Sequence, residues 1–587
     1  MKPSSSAPLR PGPSSEKLPL LPEGAALPLF FLAFVLPNLV FSGPWFYSTL
    51  HLMKWAVVFF PLAAAGMIAG YRIIRRGTKA TGFRLDGFAV LWLFLLLYVT
   101  MQPFWSGLRS PGTFFSEWFF FSGLWLVYVL ISSMEREDIL APLLWGALAN
   151  CALSVLFAEL QVRDLSDAFF FILPTPGHYI ANTGQQNMFS LWLAIGGVNG
   201  AALMLRGERR NLKGLLVMVL LAVDFWGLIS TTSRSGILAF ASGFIALAAM
   251  NLRNRGGRGG RRLLAVGLLF AGVFGMNIFL NEGRWGILLY KMDDIVKNPL
   301  SIANRDSIWA TSWTMFTERP LRGVGLGQYK WHYLDAQREM LKRWPHLRWQ
   351  YTHWAHNEFL QWFAESGLVG GILFLFLWLW WGISAFRVFL KKKHLSQEAL
   401  WGSAVICLFL FNALWTRPFH RIENVLWLSL AFALTNREVL FPLFSTPPPS
   451  EFEKGGRLLG GVICAVSLLG AVYLATGMAG DRQLRLASSQ DLPGEERLLF
   501  IEKASRNPMI TELAEQQRAY ALIALGQEQK SPELVSEGLN ELMVFFRRQP
   551  HAKELGYLTG WSKRLENEPL YREFLSYGMV LSEEQKK

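Results

Sequence analysis

The stretch with the greatest capacity for chemistry runs from Trp354 to Gly371, Trp-Ala-His-Asn-Glu-Phe-Leu-Gln-Trp-Phe-Ala-Glu-Ser-Gly-Leu-Val-Gly-Gly. At helical spacing His356, Phe359, Leu360, Phe363 and Gly367 share one face, and Glu358, Gln361 and Glu365 the other. This spacing predicts a histidine aimed with the apolar face, at the start of a membrane helix. An imidazole in that place can accept a proton near neutral pH. A histidine that only satisfies a local hydrogen bond has the same spacing. Gly367, Gly370 and Gly371 remove side chains where a neighbouring backbone can come close.

Arginines supply the second kind of chemistry. Arg234 lies in Thr232-Ser-Arg-Ser-Gly236, at a turn between two apolar runs. A guanidinium there is costly unless it reaches headgroups or grips an anion, and its planar fork suits phosphate oxygens. Arg305, in Asn304-Arg-Asp-Ser-Ile-Trp309, and Arg417 and Arg421, in Thr416-Arg-Pro-Phe-His-Arg-Ile-Glu423, add positive charge on the same side. Asp224 precedes Arg234 on the same apolar run and is expected either to pair with a basic group or to make a polar packing contact. His353, His356 and Glu358, with His332 or His346, are spaced permissively for a metal but match no known carboxylate–histidine pattern. No metal and no cofactor are therefore expected. Gly323-Val-Gly-Leu-Gly327 follows no strand–helix unit and reads as a turn, not a dinucleotide loop. With no Gly-x-Ser-x-Gly elbow and no outward cysteine, covalent hydrolase chemistry has little support.

The elements that must position these groups are membrane helices. The chain has 587 residues, 52% of them hydrophobic, with a mean hydropathy of +0.27. Repeated apolar runs long enough to cross the hydrocarbon layer predict an all-α polytopic membrane protein. About thirteen crossings are read, at 25–42, 52–74, 86–103, 115–133, 139–160, 184–205, 211–230, 235–251, 262–281, 367–390, 399–415, 420–436 and 457–477. The net charge of +14 does not imply nucleic acid, because the basic residues cluster between the apolar runs. Clusters around Arg72–Arg84, Arg206–Lys213, Arg253–Arg262 and Lys391–Lys393 fall on one side when crossings alternate. By the positive-inside rule that side is the cytoplasm, with the N-terminus inside and the C-terminus outside. Gln161–Thr183, Ser230–Gly236, Glu282–Gly367 and Thr416–Glu423 then lie on the outer face. The three cysteines sit inside apolar segments and offer no disulfide frame.

The expected organisation is a disordered cytoplasmic tail over 1–23, a multi-pass catalytic domain over 24–480 with a large outer loop at 282–366, and a soluble helical tail over 481–587. The outer loop is basic and long, and long loops are usually functional. In the tail, Leu513-Ala, Ala519-Tyr-Ala-Leu and Leu525-Gly are similar to parts of a tetratricopeptide helix pair, which suggests a protein partner.

One combination of these motifs resembles a known family. His356-Asn357, nine residues, Gly367, two residues and Gly370 resemble the histidine motif of the bacterial O-antigen ligase superfamily, which includes O-antigen polymerases and protein O-oligosaccharyltransferases. Ser233-Arg-Ser-Gly236, Arg305-x-x-x-Trp309 followed by Arg319-Pro-Leu-Arg-Gly-Val-Gly-Leu-Gly327, and Asn182-Thr-Gly-Gln-Gln-Asn187 agree with it. The resemblance implies a GT-C-type glycosyltransferase of the bacterial inner membrane. It would use an undecaprenyl-diphosphate-linked glycan donor on the periplasmic side. His356 would be the base, and Arg234 and Arg305 would hold the diphosphate. Arg417, Arg421, Asn187, Asn357 and Glu365 are expected as supporting residues. Lipid A–core is the first expectation for the acceptor, with a growing glycan or a protein as alternatives. A transporter of lipid-linked glycans is the competing class, though no convincing internal repeat supports it.

Overall fold

Long apolar segments can satisfy their own backbone groups in hydrocarbon only as helices. A computed structural model describes residues 20–578 apart from 23, 135–138, 208–211, 256, 393, 442–452, 490–491 and most of 282–304. The tail expected over 1–23 lies almost wholly outside the described residues, as do Arg209, Arg210 and Lys393 of the basic clusters. The described secondary structure is helical throughout, with no strand among the described residues.

The first nine helices are α1 (Ala26–Val35), α2 (Leu52–Thr81), α3 (Gly87–Met101), α4 (Pro111–Ser133), α5 (Leu140–Val162), α6 (Gln186–Leu205), α7 (Leu212–Ser230), α8 (Arg234–Arg255) and α9 (Gly257–Leu280). The long loop contributes α10 (Arg305–Glu318) and α11 (Tyr329–Arg343). Then come α12 (Glu358–Lys391), α13 (Gln397–Ala413), α14 (Ile422–Val439) and α15 (Glu453–Ala487). By length and composition, 10 described helices are able to cross a membrane: α2 to α9, α12 and α15. The other three expected crossings fall on α1, α13 and α14. The first two belong to shorter apolar helices. The third has 18 residues and carries Glu423, Asn424, Asn436, Arg437 and Glu438.

Side-chain bonds sort the helix ends into two groups. At one end Arg206 pairs with Glu398 at 2.7 Å, and Arg262 donates to the Leu205 carbonyl at 2.8 Å. There too Lys392 donates to the Glu438 carbonyl at 2.9 Å and Arg437 to that of Met134 at 2.7 Å. These are described members of the basic clusters or their immediate neighbours. The opposite end gathers the turns before α6, between α7 and α8, and between α13 and α14, together with α10 and α11.

Gly367 departs from helical geometry, with φ 64° and ψ −164°, so α12 is a short outer helix joined to a long apolar one. A Cβ on Gly367 would run into the backbone of Leu321 and Arg322 at 2.6–2.7 Å. The Val324 and Gly325 amides donate to the Ala364 and Glu365 carbonyls at 3.0 and 2.8 Å, and Leu368 N donates to the Pro320 carbonyl at 2.7 Å. The glycine turn after α10 is thus bound edge-on to the break in α12. Gly370 and Gly371 play a different part from the close backbone approach expected of them. Their absent side chains leave room for Ser366, Tyr98 and Phe363.

The outer part of α12 also reverses the expected burial. Glu358, Gln361 and Glu365 are buried, whereas Phe359, Leu360 and Phe363 are half-exposed. Each buried polar group has a partner outside the helix. Glu365 accepts from Gly327 N at 3.0 Å, and Glu358 accepts from Phe419 N at 2.8 Å. Polar pairing between loops outweighs the apolar stripe here, because an unpaired buried carboxylate would cost more than a half-exposed Phe.

The tail comprises α16 (Gly494–Ser505), α17 (Thr511–Glu528), α18 (Pro532–Arg548), α19 (Ala552–Arg564) and α20 (Glu568–Leu575). Its core of Ala519, Ile523, Leu542, Phe546 and Leu555 receives Leu334 from α11. Gln549 donates to the Arg109 carbonyl at 2.9 Å, and Trp349 donates to that of Tyr577 at 2.8 Å. The tail therefore packs on the loop helices and the start of α4, at the same end as the turns described above.

Candidate active site

His356 is not part of a helix. Its φ of 52° is left-handed, which a non-glycine residue adopts at a cost of about 1–3 kcal/mol when the surroundings hold it there. They do so on both sides. The Ala355 amide donates to Gln361 Oε1 at 3.1 Å, and its carbonyl accepts from Trp309 Nε1 at 3.1 Å. Asn357 caps α12 by accepting from Leu360 N at 3.0 Å, and its own amide donates to the Leu414 carbonyl at 3.3 Å. The histidine is half-buried between two fixed peptides.

The charges acting on this imidazole are cationic. Burial, then Arg305, then Arg417 lower its pKa to about 4, so the ring is neutral at pH 7. Arg305 begins α10, and its guanidinium lies 5.9 Å from the Trp415 ring. Burial and then Arg234 lower its pKa to about 10, which leaves it charged. Arg417 lies 5.0 Å from the centre of the Trp354 ring and donates to Gln185 Oε1 at 3.1 Å. Burial and then Arg421 lower it to about 9, again still charged. Its buried Nε has no acceptor. Glu358 and Glu423 act on Arg417 in the opposite sense, and a guanidinium N–H of this kind suits an anionic oxygen.

The turn that starts α8 at Arg234 is held by α6. Gln186 donates to the Thr231 carbonyl and to Thr232 Oγ1, the latter at 3.1 Å. Ser233 Oγ donates to Asn187 Oδ1 at 3.0 Å. Asn187 thus positions the arginine's turn. Asn182 acts further back, spanning the Leu39 and Phe171 carbonyls and Leu173 N at 2.7–2.9 Å.

Two other expected residues point elsewhere. Arg421 donates to His51 at 3.1 Å and to Gln185 at 3.3 Å, and lies 3.9 Å from Glu423, which also faces Lys54 at 3.9 Å. Loss of hydration around the His51 ring, followed by Arg421, lowers its pKa to about 3, so it accepts as a neutral ring. Glu365 is engaged by the glycine turn. Asp224 lies buried beside Cys151, where both would meet a Cβ added to Gly196, and makes no salt bridge among the described residues. The polar packing contact, not the basic partner, is its setting.

A buried triad that the sequence did not signal anchors the site. His420 Nδ1 is 3.3 Å from Glu117, and its Nε2 is 3.3 Å from Glu358. Burial alone would lower its pKa, but the Glu358 and Glu117 carboxylates outweigh it and push it up to about 10. The ring packs 4.3 Å from Trp354. It ties α4, the turn before α14 and the start of α12 together. Glu117 and His420 lie 303 positions apart, so no local pattern reveals the pairing. The histidines argued for a metal do not converge either, since His353 meets His551 at 3.2 Å. Among the described residues no group of three or more His, Cys, Asp or Glu side chains is placed to hold one.

A family model described as O-antigen ligase matches residues 216–375. That segment contains Arg234, Arg305 and His356, and ends before Arg417. A comparison with curated proteins found no match.

Proposed function

We propose, from the premise of an O-antigen ligase domain at residues 216–375 in a multi-pass membrane enzyme, that the protein transfers an undecaprenyl-diphosphate-linked glycan to an acceptor hydroxyl. The observation that carries this reading is His356, fixed in a left-handed conformation between two held peptides, with Arg305 on Trp415 and Arg417 on Trp354 as the cations that act on its ring. A base that must accept a proton and an anion that must leave need such an imidazole and such cations together.

In the reaction His356 takes the proton from the acceptor hydroxyl as its oxygen attacks the anomeric carbon. The bond from that carbon to the diphosphate breaks, and undecaprenyl diphosphate leaves with the electron pair. Arg234, Arg305 and Arg417 stabilise the departing charge, which accounts for chemistry through side chains alone. One direct displacement inverts the anomeric centre. The clustered basic residues at the opposite end support, by the positive-inside rule, a site on the periplasmic face of the inner membrane, with the N-terminus cytoplasmic and the tail periplasmic. The fold is of the GT-C type in this reading. Ligation to a lipid A–core acceptor is the assignment adopted, with polymerisation or transfer to protein as the alternatives within the family.

Donor binding also tunes the base. The diphosphate offsets the positive field of Arg305 and Arg417, so the imidazole pKa rises from about 4 toward its ordinary value as the complex forms. The test is release of undecaprenyl diphosphate by purified protein given lipid-linked glycan and acceptor. Release that depends on acceptor and on His356 supports a transferase, and movement of intact lipid-linked glycan without release overturns it.

A further inference from the structure

At the end of the bundle that carries the site, α5 finishes in a reversal of the chain. Asp164 has a left-handed φ of 57°, and Leu165 N donates to the Leu160 carbonyl at 2.9 Å, so the segment after the helix turns back along it. Two rings fix how far it comes back. Phe171 packs 5.7 Å from Phe157, and Phe157 lies five residues before the last residue of α5, Val162. At about 1.5 Å per residue, the loop meets this membrane-crossing helix roughly 7 Å back from its end. There it turns Phe169, Phe170 and Phe171 outward, with Phe170 86% exposed, while the adjoining Ile172 is buried.

The outward rings stand on a fixed backbone. Asn182, fully buried, donates to the Phe171 carbonyl at 2.9 Å and accepts from Leu173 N at 2.8 Å. Gln161, also buried, donates to the Leu173 carbonyl at 2.9 Å, and its own carbonyl accepts from Gly177 N at 2.9 Å. The Phe169 and Phe170 rings lie 5.6 and 5.4 Å from that of Phe171, so the three form one cluster. Three adjacent phenylalanines held in water would be costly, and an exposed apolar patch of this kind marks a contact surface. The patch continues one on α5 itself. There Leu153 and Leu156 are exposed while Cys151, Val155 and Ala158 are buried, the stripe of a spanning helix with one side to hydrocarbon. Phe157 joins that stripe to Phe171.

We propose that the loop at 165–173 is a wedge seated among phospholipid acyl chains, just below the headgroups of the leaflet on the site's side, with the Phe170 ring as its tip. Aromatic rings are favoured at that depth. A ring as exposed as Phe170 protrudes, which fits fluid chains better than a shaped partner, and its continuity with the Leu153 and Leu156 face names the same lipid as its surroundings. The wedge is tied to the site through the backbone. Asn182, which grips the loop, lies three residues before Gln185, the acceptor for Arg417, and five before Asn187, the acceptor for Ser233. The contact is independent of what the site transfers, so it can fail or hold apart from the transferase reading.

The experiment places p-benzoylphenylalanine at Phe170 in the full chain, held in nanodiscs of phosphatidylethanolamine and phosphatidylglycerol alone. Under near-ultraviolet light the probe should yield a protein heavier by one phospholipid, read by mass spectrometry. The same probe at Leu156, on the exposed side of α5, is the positive control, and at Val544, exposed on the tail, the negative one. A phenylalanine side chain prefers apolar surroundings to water by about ten-fold or more, so the phospholipid adduct at 170 should exceed that at 544 by about ten-fold. A probe at Phe169 repeats the measurement should the 170 variant accumulate poorly. Adduct at 156 with none at 169 or 170 would overturn the proposal by leaving the loop in water. A crosslinked dimer would overturn it in favour of a second copy, and a crosslink within the chain would show that the protein itself covers the rings. The discs contain no polyprenyl lipid, so an adduct reports the bilayer and not a donor.

Discussion

Two buried groups of charge meet at Trp354, and they are built in opposite ways. On one side His420 stands between Glu117 and Glu358, each 3.3 Å away, so its positive charge is matched within the protein. On the other, the neighbouring charges that act on His356 are Arg305 and Arg417, and the one that acts on Arg305 is Arg234. The first group is complete as it stands. The second brings cations within reach of one another, with Glu358 and Glu423 acting on Arg417 in the opposite sense, a setting that suits an anionic ligand. In the proposed reading the first is scaffold and the second is the reaction centre.

The comparison breaks first if the arginine-side histidine proves to be structural. His356→Ala should reduce transfer by roughly a hundred- to ten-thousand-fold, the range for a positioned base. Donor binding and the melting temperature should change little, because the arginines supply the grip. Near-normal transfer at equal folded amounts would remove the central residue of the reading.

His420→Ala should show the reverse signature. Removing the cation leaves two buried carboxylates facing each other, a change worth about 3–5 kcal/mol of stability. Thermal unfolding in detergent reads it. The pH dependence has a definite sign. The folded pKa of about 10 exceeds the ordinary 6.5, so this contribution is fully present below about pH 6.5 and is lost as pH rises through 10. A variant that melts like the parent while losing activity would move His420 from anchor to reactant.

Much of this division was legible in the residues themselves. The apolar runs, the turn at Gly323–Gly327 and the convergence of Arg234, Arg305 and His356 at one end follow from patterns within short windows. What the sequence hid is long-range. Glu117 and Gln185 complete the anchoring of turns hundreds of positions away, and no periodicity encodes such pairs. The inward polar face of α12 escapes the helical spacing for the same reason. Glu358 and Glu365 look like a solvent face until Phe419 N and Gly327 N supply their partners. Gly367 was recognised as a site of close approach, but the break it makes depends on the backbone of Leu321 arriving there.

Charge alone would be satisfied by lysine, so Arg305→Lys and Arg234→Lys sharpen the comparison further. Each should lower transfer by about ten-fold or more through loss of the two-pronged grip on diphosphate. Full activity in both, at normal expression, would mean that these guanidinium groups only reach headgroups.

A smaller effect should appear in pH profiles. The neutral ring is the reactive form, so activity falls as pH drops through its pKa. In kcat/KM, which reports the free protein, that acid limb should lie near pH 4. In kcat it should lie higher, because bound diphosphate offsets Arg305 and Arg417. Coincident limbs would deny that donor and base share one field.

The smallest effect is expected at His353, the control for His356. It lies three residues earlier in the same stretch, but its ring faces His551 of the tail at 3.2 Å and the Tyr351 ring at 5.3 Å. Loss of hydration around the ring and then His551 lower its pKa to about 4, so at pH 7 the His353 ring is neutral and has a modest share in tail docking. Losing one hydrogen bond at an exposed position costs about 0.5–1.5 kcal/mol locally and touches neither diphosphate nor anomeric carbon. His353→Ala should therefore keep transfer within about three-fold of the parent, while limited proteolysis of the tail becomes somewhat faster. A dead His353→Ala beside an active His356→Ala would place the base on the tail side of Trp354, and the two sides would exchange roles.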